Sequence, residues 1–313
     1  MKLLRAALCI LLGSALLVLL AGLLGSAAPE FDLANLVVVP FALLGLVCAL
    51  ALLFMVRRRW KKVGMAAAAL ASGFMLIPPA APPSACPSGT ARLRVAWLNA
   101  EGSNNPAPIM AWLGREDPAL VAFGELSKGG SLAVRAAVAE RWPHAQSCLR
   151  ELGCSTIIYA RDRPTAQEGL ARGNPINRKA LSAVRMSFAL DDGTQLNVMA
   201  AHLSRVLPLG KQAAELAELE SHIDKPADTI ILGDFNATRR MHVLRDFAAR
   251  NGFGVGKADA PTWPQTFDGR ETTPIIQIDQ TLAGRNWAIE DLRTSPDLGS
   301  DHRGLVADLC RLG

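Results

Sequence analysis

Two stretches without a charged side chain, Ala6–Ala28 and Leu33–Val56, constrain this chain more than any other feature. Each exceeds 20 residues, and at 1.5 Å per residue such a helix crosses the roughly 30 Å of hydrocarbon in a bilayer. A third apolar run, Val63–Ala81, is shorter and Ala-rich, at the margin of a span. We read residues 1–81 as a membrane anchor with three spans, 6–28, 33–56 and 63–81. Between the second and third lies Arg57-Arg58-Arg59-Trp60-Lys61-Lys62, and basic loops stay in the cytoplasm. Lys2 and Arg5 hold the N-terminus on the same side, so a third crossing delivers everything after Pro82 to the outer face of the cell membrane. Should the third run not cross, the remainder faces the cytoplasm. Ser26-Ala27-Ala28 also fits a signal-peptide cleavage site, but the apolar run before it is longer than the usual 7–15 residues.

The formal charge of +5 needs placing before it is interpreted. Residues 1–85 hold Lys2, Arg5, Arg57, Arg58, Arg59, Lys61 and Lys62 against Glu30 and Asp32, so the whole surplus lies there and the remainder is neutral. The excess is a topology signal, not the footprint of a polyanion. Charged residues make up 19% of the chain, below the roughly 25% of soluble domains, as an apolar third requires.

Pro78, Pro79, Pro82, Pro83 and Pro87 mark a stiff spacer, with the linker proper at 82–90 and one domain at 91–313. Strands are expected at 93–98, 120–123, 155–160, 229–232, 276–282 and 304–309, a hairpin at 183–190 with 195–201, and helices at 109–115, 132–141, 210–222 and 241–251. Hairpins mixed with helices suggest an α/β sandwich. Four cysteines lie in this domain. Cys148 and Cys154 are close enough for a small loop, and Cys86 and Cys310 flank the first and last strands, so two disulfides are expected in an oxidising compartment. The alternative is four unpaired thiols.

Metal-competent and polar residues recur just past strand ends: Asn99, Glu125, His202, Asp234 with Asn236, Asp279, and Asp301 with His302. Singly each reads as a cap, a turn or a structural histidine. In chain order they form Val-Ala-Trp-Leu-Asn99, Leu-Val-Ala-Phe-Gly-Glu125, Val-Met-Ala-Ala-His202, Ile-Ile-Leu-Gly-Asp234-Phe-Asn236, Ile278-Asp279 and Ser300-Asp301-His302. This succession resembles the endonuclease/exonuclease/phosphatase (DNase I-like) superfamily over residues of about 90–311, most specifically in the Gly-Asp-Phe-Asn and Ser-Asp-His blocks.

The resemblance implies a four-layer α/β/β/α sandwich and a metal-dependent phosphoesterase. It implies Mg²⁺ (Mn²⁺ as an alternative) at Glu125, with Asn99 and Asp301 completing the metal environment. His302, oriented by Asp279, would be general base or phosphate-stabilising cation. Asp234 would position or deprotonate water, Asn236 would hold the scissile phosphate, and His202 would donate to a non-bridging oxygen. Three departures stand out. Gly124 occupies a place where the family commonly has Gln, Gln280 follows Asp279 where an aromatic or His is frequent, and Tyr159 is the only tyrosine. Arg185 and Arg178 are candidates to replace a phosphate-contacting Tyr, and both read equally well as solvated charges.

The anchored, outward-facing arrangement resembles bacterial membrane-bound members of the family. It implies membrane lipids as partners and a lipid-linked phosphate or pyrophosphate as substrate. A nuclease, a sphingomyelinase- or phospholipase C-like phosphodiesterase, and a catalytically silent scaffold are the alternatives. Neutrality of residues 86–313 gives little help with nucleic acid.

Overall fold

The structure is a computed structural model that describes residues 1–79, 86–103, 105–126, 131–148, 155–170, 181–267 and 269–312. It divides after residue 80 into two compact units, with Arg240–Val243 grouped with the first.

The first unit is helical: α1 (Lys2–Leu23), the short α2 (Pro29–Asp32), α3 (Ala34–Met55) and α4 (Arg59–Leu76). Its interior mixes small residues such as Ala15, Ala42 and Ala49 with Leu12, Leu19 and Leu52. A Cβ at Gly45 would stand 2.7 Å from Ser72 Oγ and 3.3 Å from the Ala15 Cβ, so that position lets three helices approach closely. Asn35 Nδ2 ties the α2 turn together, donating to Asp32 Oδ1 at 2.9 Å and to the Gly22 carbonyl at 3.0 Å. Large apolar side chains such as Ile10, Leu17, Phe54 and Leu70 point outward. Two helical segments are long and apolar enough to cross a membrane, Lys2–Ser26 and Ala34–Met55. The expected third span at 63–81 differs: α4 runs from Arg59 to Leu76 and takes Arg59, Lys61 and Lys62 into its first turn, so it does not meet the same standard.

The second unit contains two six-stranded sheets. In chain order its elements are β1 (Arg92–Asn99), α5 (Pro106–Glu116), β2 (Leu120–Gly124), α6 (Ser131–Arg141), β3 (His144–Ser147), β4 (Ile157–Ala160), β5 (Ala166–Gly169), β6 (Ser182–Ala189), β7 (Gln195–His202), α7 (Lys211–Glu220), β8 (Thr229–Asp234), α8 (His242–Asn251), β9 (Gly254–Val255), β10 (Thr266–Phe267), β11 (Arg270–Glu271), β12 (Asp279–Ala283), β13 (Trp287–Thr294) and β14 (Leu305–Arg311). The first sheet has the order β13-β14-β1-β2-β4-β3 and the second β5-β6-β7-β8-β12-β9. Val95, Trp97 and Ile158 of one meet Val184, Val198 and Leu232 of the other in the central core. On the outer face of the first sheet, Ile109, Trp112 and Leu113 of α5 and Val134 and Val138 of α6 pack over Ala96, Leu98, Val121 and Phe123. Strand alternation produces this division, since residues two apart share a face. With α7 and α8 accompanying the second sheet, the expected four-layer architecture is present.

The sequence pattern did not anticipate β3, β5, β9, β10, β11 or β13, and it placed the start of β12 three residues early. β13 carries Glu290 and Asp291 at a β-bulge after Ile289, which interrupts its alternation. β12 begins at Asp279 instead of Ile276, because Ile276 is spent on an isolated bridge to Trp263. Cys86 and Cys310 form a disulfide with 5.8 Å between their Cα atoms. Cys148 is also disulfide-bonded; Cys154, its expected partner, lies outside the described residues, as does Arg178.

Candidate active site

Register gathers the site. β1 and β2 are parallel with Asn99 opposite Gly124, so both strands deliver their C-terminal residues to one rim. β7 and β8 are parallel with His202 opposite Asp234, while antiparallel β12 starts with Asp279 opposite that same Asp234. Ser300 Oγ donates to the Asn99 carbonyl at 2.6 Å and receives the His302 backbone N–H at 3.1 Å, which fastens the segment before β14 to the end of β1. Two residues at the rim, Glu125 (φ 55°) and Asn236 (φ 47°), hold left-handed backbone conformations without being glycine. Such strain persists where surrounding bonds over-determine it.

Asp234 is the hub. Its Oδ2 accepts from Asn99 Nδ2 at 3.1 Å and its Oδ1 from the Asn236 backbone N–H at 2.8 Å. His202 Nε2 and His302 Nε2 lie 3.7 and 3.8 Å from Oδ2. His202 Nε2 is also 3.6 Å from Glu125 Oε1, and His302 Nε2 is 3.9 Å from Asp301 Oδ1. His302 Nδ1 bonds Asp279 Oδ2 at 2.8 Å. Asn236 Nδ2 donates one proton to the Leu203 carbonyl at 2.9 Å. All eight residues singled out from sequence thus meet in one cluster, linked through Asp234, His202 and His302.

Burial dominates the electrostatics. It raises the Asp234 carboxyl above the usual carboxylate range, and the charge of Asp279 adds to that rise. Burial also raises Asp301. For His302 burial works the other way, yet the charge and hydrogen bond of Asp279, with Asp234 and Asp301 beyond, push the imidazole up to about 10.

The donor set fits a hard divalent cation. Asp301 Oδ1 is buried without a hydrogen-bond partner among the described residues, with His302 Nε2 at 3.9 Å beyond hydrogen-bond reach, so the oxygen is open to a further cation. Asp234, Asp279 and His302 also each present one ligand-type atom within 4.8 Å of the others. There, however, both Asp279 oxygens already accept hydrogen bonds.

The sequence departures have physical counterparts. A Cβ at Gly124 would lie 2.9 Å from Trp97 Cη2, so no larger side chain fits beside that ring. Gln280 is buried, with Nε2 donating to the Ala237 carbonyl at 2.8 Å, where it braces the turn after Asn236. Arg185 is committed to Glu168 and Asp224, and Tyr159 packs edge-on against Phe123 in the outer core. Sequence reasoning missed Ser155, whose Oγ is 3.3 Å from His202 Nδ1, and the bond from Trp97 Nε1 to Asp279 Oδ1 at 2.7 Å. A serine in a loop and a tryptophan in a strand carry no distinguishing signal. Ser300 was visible only as part of its Ser-Asp-His block.

No curated protein matches the sequence. Among solved structures, the fold is similar to an endonuclease/exonuclease/phosphatase from Beutenbergia cavernae (TM-score 0.58, 16% identity, 71% of this chain and 72% of that one). It is similar to sphingomyelinase C from Streptomyces griseocarneus (0.51, 14%, 70% and 97%). A mutant beta toxin from Staphylococcus aureus with bound magnesium ions also aligns (0.50, 12%, 69% and 99%). The Endonuclease/Exonuclease/phosphatase family model matches residues 96–302, from the middle of β1 to His302, and the chain belongs to this family of phosphoesterases and nucleases.

Proposed function

We propose that this protein is a membrane-anchored, Mg²⁺-dependent phosphoester hydrolase whose catalytic domain acts at the outer face of the membrane on a lipid-linked phosphate or pyrophosphate. The observation that carries the reading is the buried Asp279–His302–Asp234 cluster beside an Asp301 oxygen that has no hydrogen-bond partner among the described residues.

Glu125, Asn99 and Asp301 would hold the metal, with Mn²⁺ as the alternative ion. Asn99 suits this because its Nδ2 is spent on Asp234 while Oδ1, which takes the Glu101 N–H at 3.2 Å, keeps a second lone pair. Bound there, a divalent ion supplies charge neutralisation to the phosphoryl group and the leaving oxygen. The structural similarity to a magnesium-bound beta toxin supports the choice of ion.

Asp234 is placed to accept a proton from the attacking water, since its raised pKa makes it a better base than an ordinary carboxylate. His302, its imidazole pushed up by Asp279, would face the phosphate as a cation that stabilises developing charge. Ser155 Oγ lies 3.3 Å from His202 Nδ1, and with the serine as donor the imidazole proton is on Nε2, the tautomer needed to donate to a non-bridging oxygen. Asn236 keeps one amide proton for the scissile phosphate.

The anchor supports a lipid substrate. Two membrane-length helices and a short Pro-rich tether would keep the site beside the membrane, where lipid-linked phosphates are concentrated, and the outer-face placement requires α4 as a third crossing despite its basic first turn. The likeness to a sphingomyelinase C favours a second reading, a phospholipid phosphodiesterase, which differs in the leaving group. Nucleic acid is less favoured because the surplus positive charge lies outside the catalytic domain.

The test is a panel of undecaprenyl pyrophosphate, phospholipids and single- and double-stranded DNA in one Mg²⁺ buffer. Turnover of the pyrophosphate ahead of the rest is expected, and DNA cleavage outrunning the lipids would overturn the substrate assignment. A reporter fused after Gly313 should be active only outside the cytoplasm.

A further inference from the structure

We infer that Trp97 is a positioning residue that sets the Asp279–His302 pair from across the sandwich, an inference that rests on the hydrolase reading above. Trp97 and Asn99 are two apart on β1 and so share the face turned toward the second sheet. Trp97 lies in the central core among aliphatic side chains, fully buried, as is Asp279. Its Nε1 donates to Asp279 Oδ1 at 2.7 Å, while Asp279 Oδ2 bonds His302 Nδ1 at 2.8 Å. The two carboxylate oxygens are thus held from opposite sides, one by a strand of the first sheet and one by the imidazole. Rotation of the carboxylate would break both bonds, so the indole N–H fixes the plane in which His302 is held.

Two further observations separate this bond from ordinary packing. Room for the ring depends on Gly124, the residue opposite Asn99 and just before Glu125, where a Cβ would stand 2.9 and 3.1 Å from Trp97 Cη2 and Cζ2. The fold does not require every buried indole to be satisfied: Trp287 Nε1 is buried with no hydrogen-bond partner among the described residues. The Trp97 donor instead meets a carboxylate that also serves the reactive imidazole.

A double-mutant cycle on the full chain in detergent micelles tests this. Trp97→Phe keeps a ring and removes the donor; it should lower kcat about tenfold with KM nearly unchanged. Asp279→Ala should lower kcat about a hundredfold or more. The double variant should be no slower than Asp279→Ala, because the donor then has nothing to hold. An equal loss from Trp97→Phe in both backgrounds, or a change in KM alone, would overturn the assignment. Should Trp97→Phe not fold, indole-labelled wild type and Asp279→Asn decide it by NMR. The Trp97 N–H resonance should move upfield when the acceptor loses its charge, and six unmoved indole resonances would overturn the bond. A folded wild type inert on every substrate of the panel would count against the hydrolase reading, while the resonance comparison still upholds or overturns the Trp97–Asp279 contact.

Discussion

Gln212 Nε2 donates to the backbone carbonyl of Asn236 at 3.0 Å, and the same nitrogen reaches the carbonyls of Phe235 at 3.0 Å and Ser204 at 2.9 Å. One buried amide on α7 therefore braces the turn in which Asn236 holds its left-handed backbone. Replacing it with Ala removes the two amide protons that these three carbonyls share. Gln212→Ala should cost about 1–3 kcal/mol of stability. It should also lower kcat, read from thermal melts and from turnover well below the melting range. Unchanged turnover would mean that the turn holds its shape without the amide.

Gly233 is demanded by backbone and not by chemistry. A Cβ there would stand 1.9 Å from the Ala201 carbonyl oxygen on the neighbouring β7, and backbone cannot step aside as a side chain can. Gly233→Ala should cost about 3 kcal/mol or more, or prevent folding, in contrast to a substitution in a roomy core. Denaturant titration provides the measure.

The Cys86–Cys310 bridge closes a separation of 224 residues. Cys86→Ser should lower stability by about 2–5 kcal/mol. Migration on non-reducing gels checks the bond itself. Its formation in cells also reports exposure to an oxidising compartment, so a fully reduced cellular pool would argue against an outward-facing domain.

Chelation should abolish hydrolysis, and Mg²⁺ should restore it. Glu125→Gln and Asp301→Asn should each raise the Mg²⁺ concentration needed for half activity by at least about tenfold. Isothermal titration with Mg²⁺ alone provides a readout independent of turnover.

Asp308 gives a pH signature of folding. Although burial opposes it, hydrogen bonds and charge from Arg94 and Arg293 hold its carboxyl below the usual carboxylate range. A depressed folded pKa adds stability above the ordinary value of about 4, and that stability disappears as pH falls through the folded value. Asp308→Asn should therefore be less stable than wild type at pH 7. The two denaturant midpoints should converge as pH falls through the folded value.

Much of the site could be read before the structure because polar residues terminate apolar runs. The run Leu-Val-Ala-Phe-Gly-Glu125 marks a buried strand that must end at its first charge, and Ile-Ile-Leu-Gly-Asp234 does the same. Parallel neighbours then carry those ends to one rim. What stayed hidden depends on pairing between distant residues. Trp97 looks like core in any strand; only the approach of β12 from the other sheet turns its N–H into a functional donor. Gly124 looks like a lost side chain until the Trp97 ring is placed against it. β13 hides behind its bulge, and the third apolar run hides the basic residues that α4 absorbs.

The bridge between Cys86 and Cys310 also determines how the catalytic domain bears mechanical load. Tension applied from the N-terminal side reaches Cys86 first and passes through the disulfide into β14. That strand is interior: Cys310 stands opposite Arg92 of β1 on one side and Ala288 of β13 on the other. An edge strand peels away one ladder bond at a time, whereas pulling an interior strand must shear two ladders together. The bridge thus spares residues 87–91 and the start of β1 from being drawn out, and with them the strand that ends in Asn99.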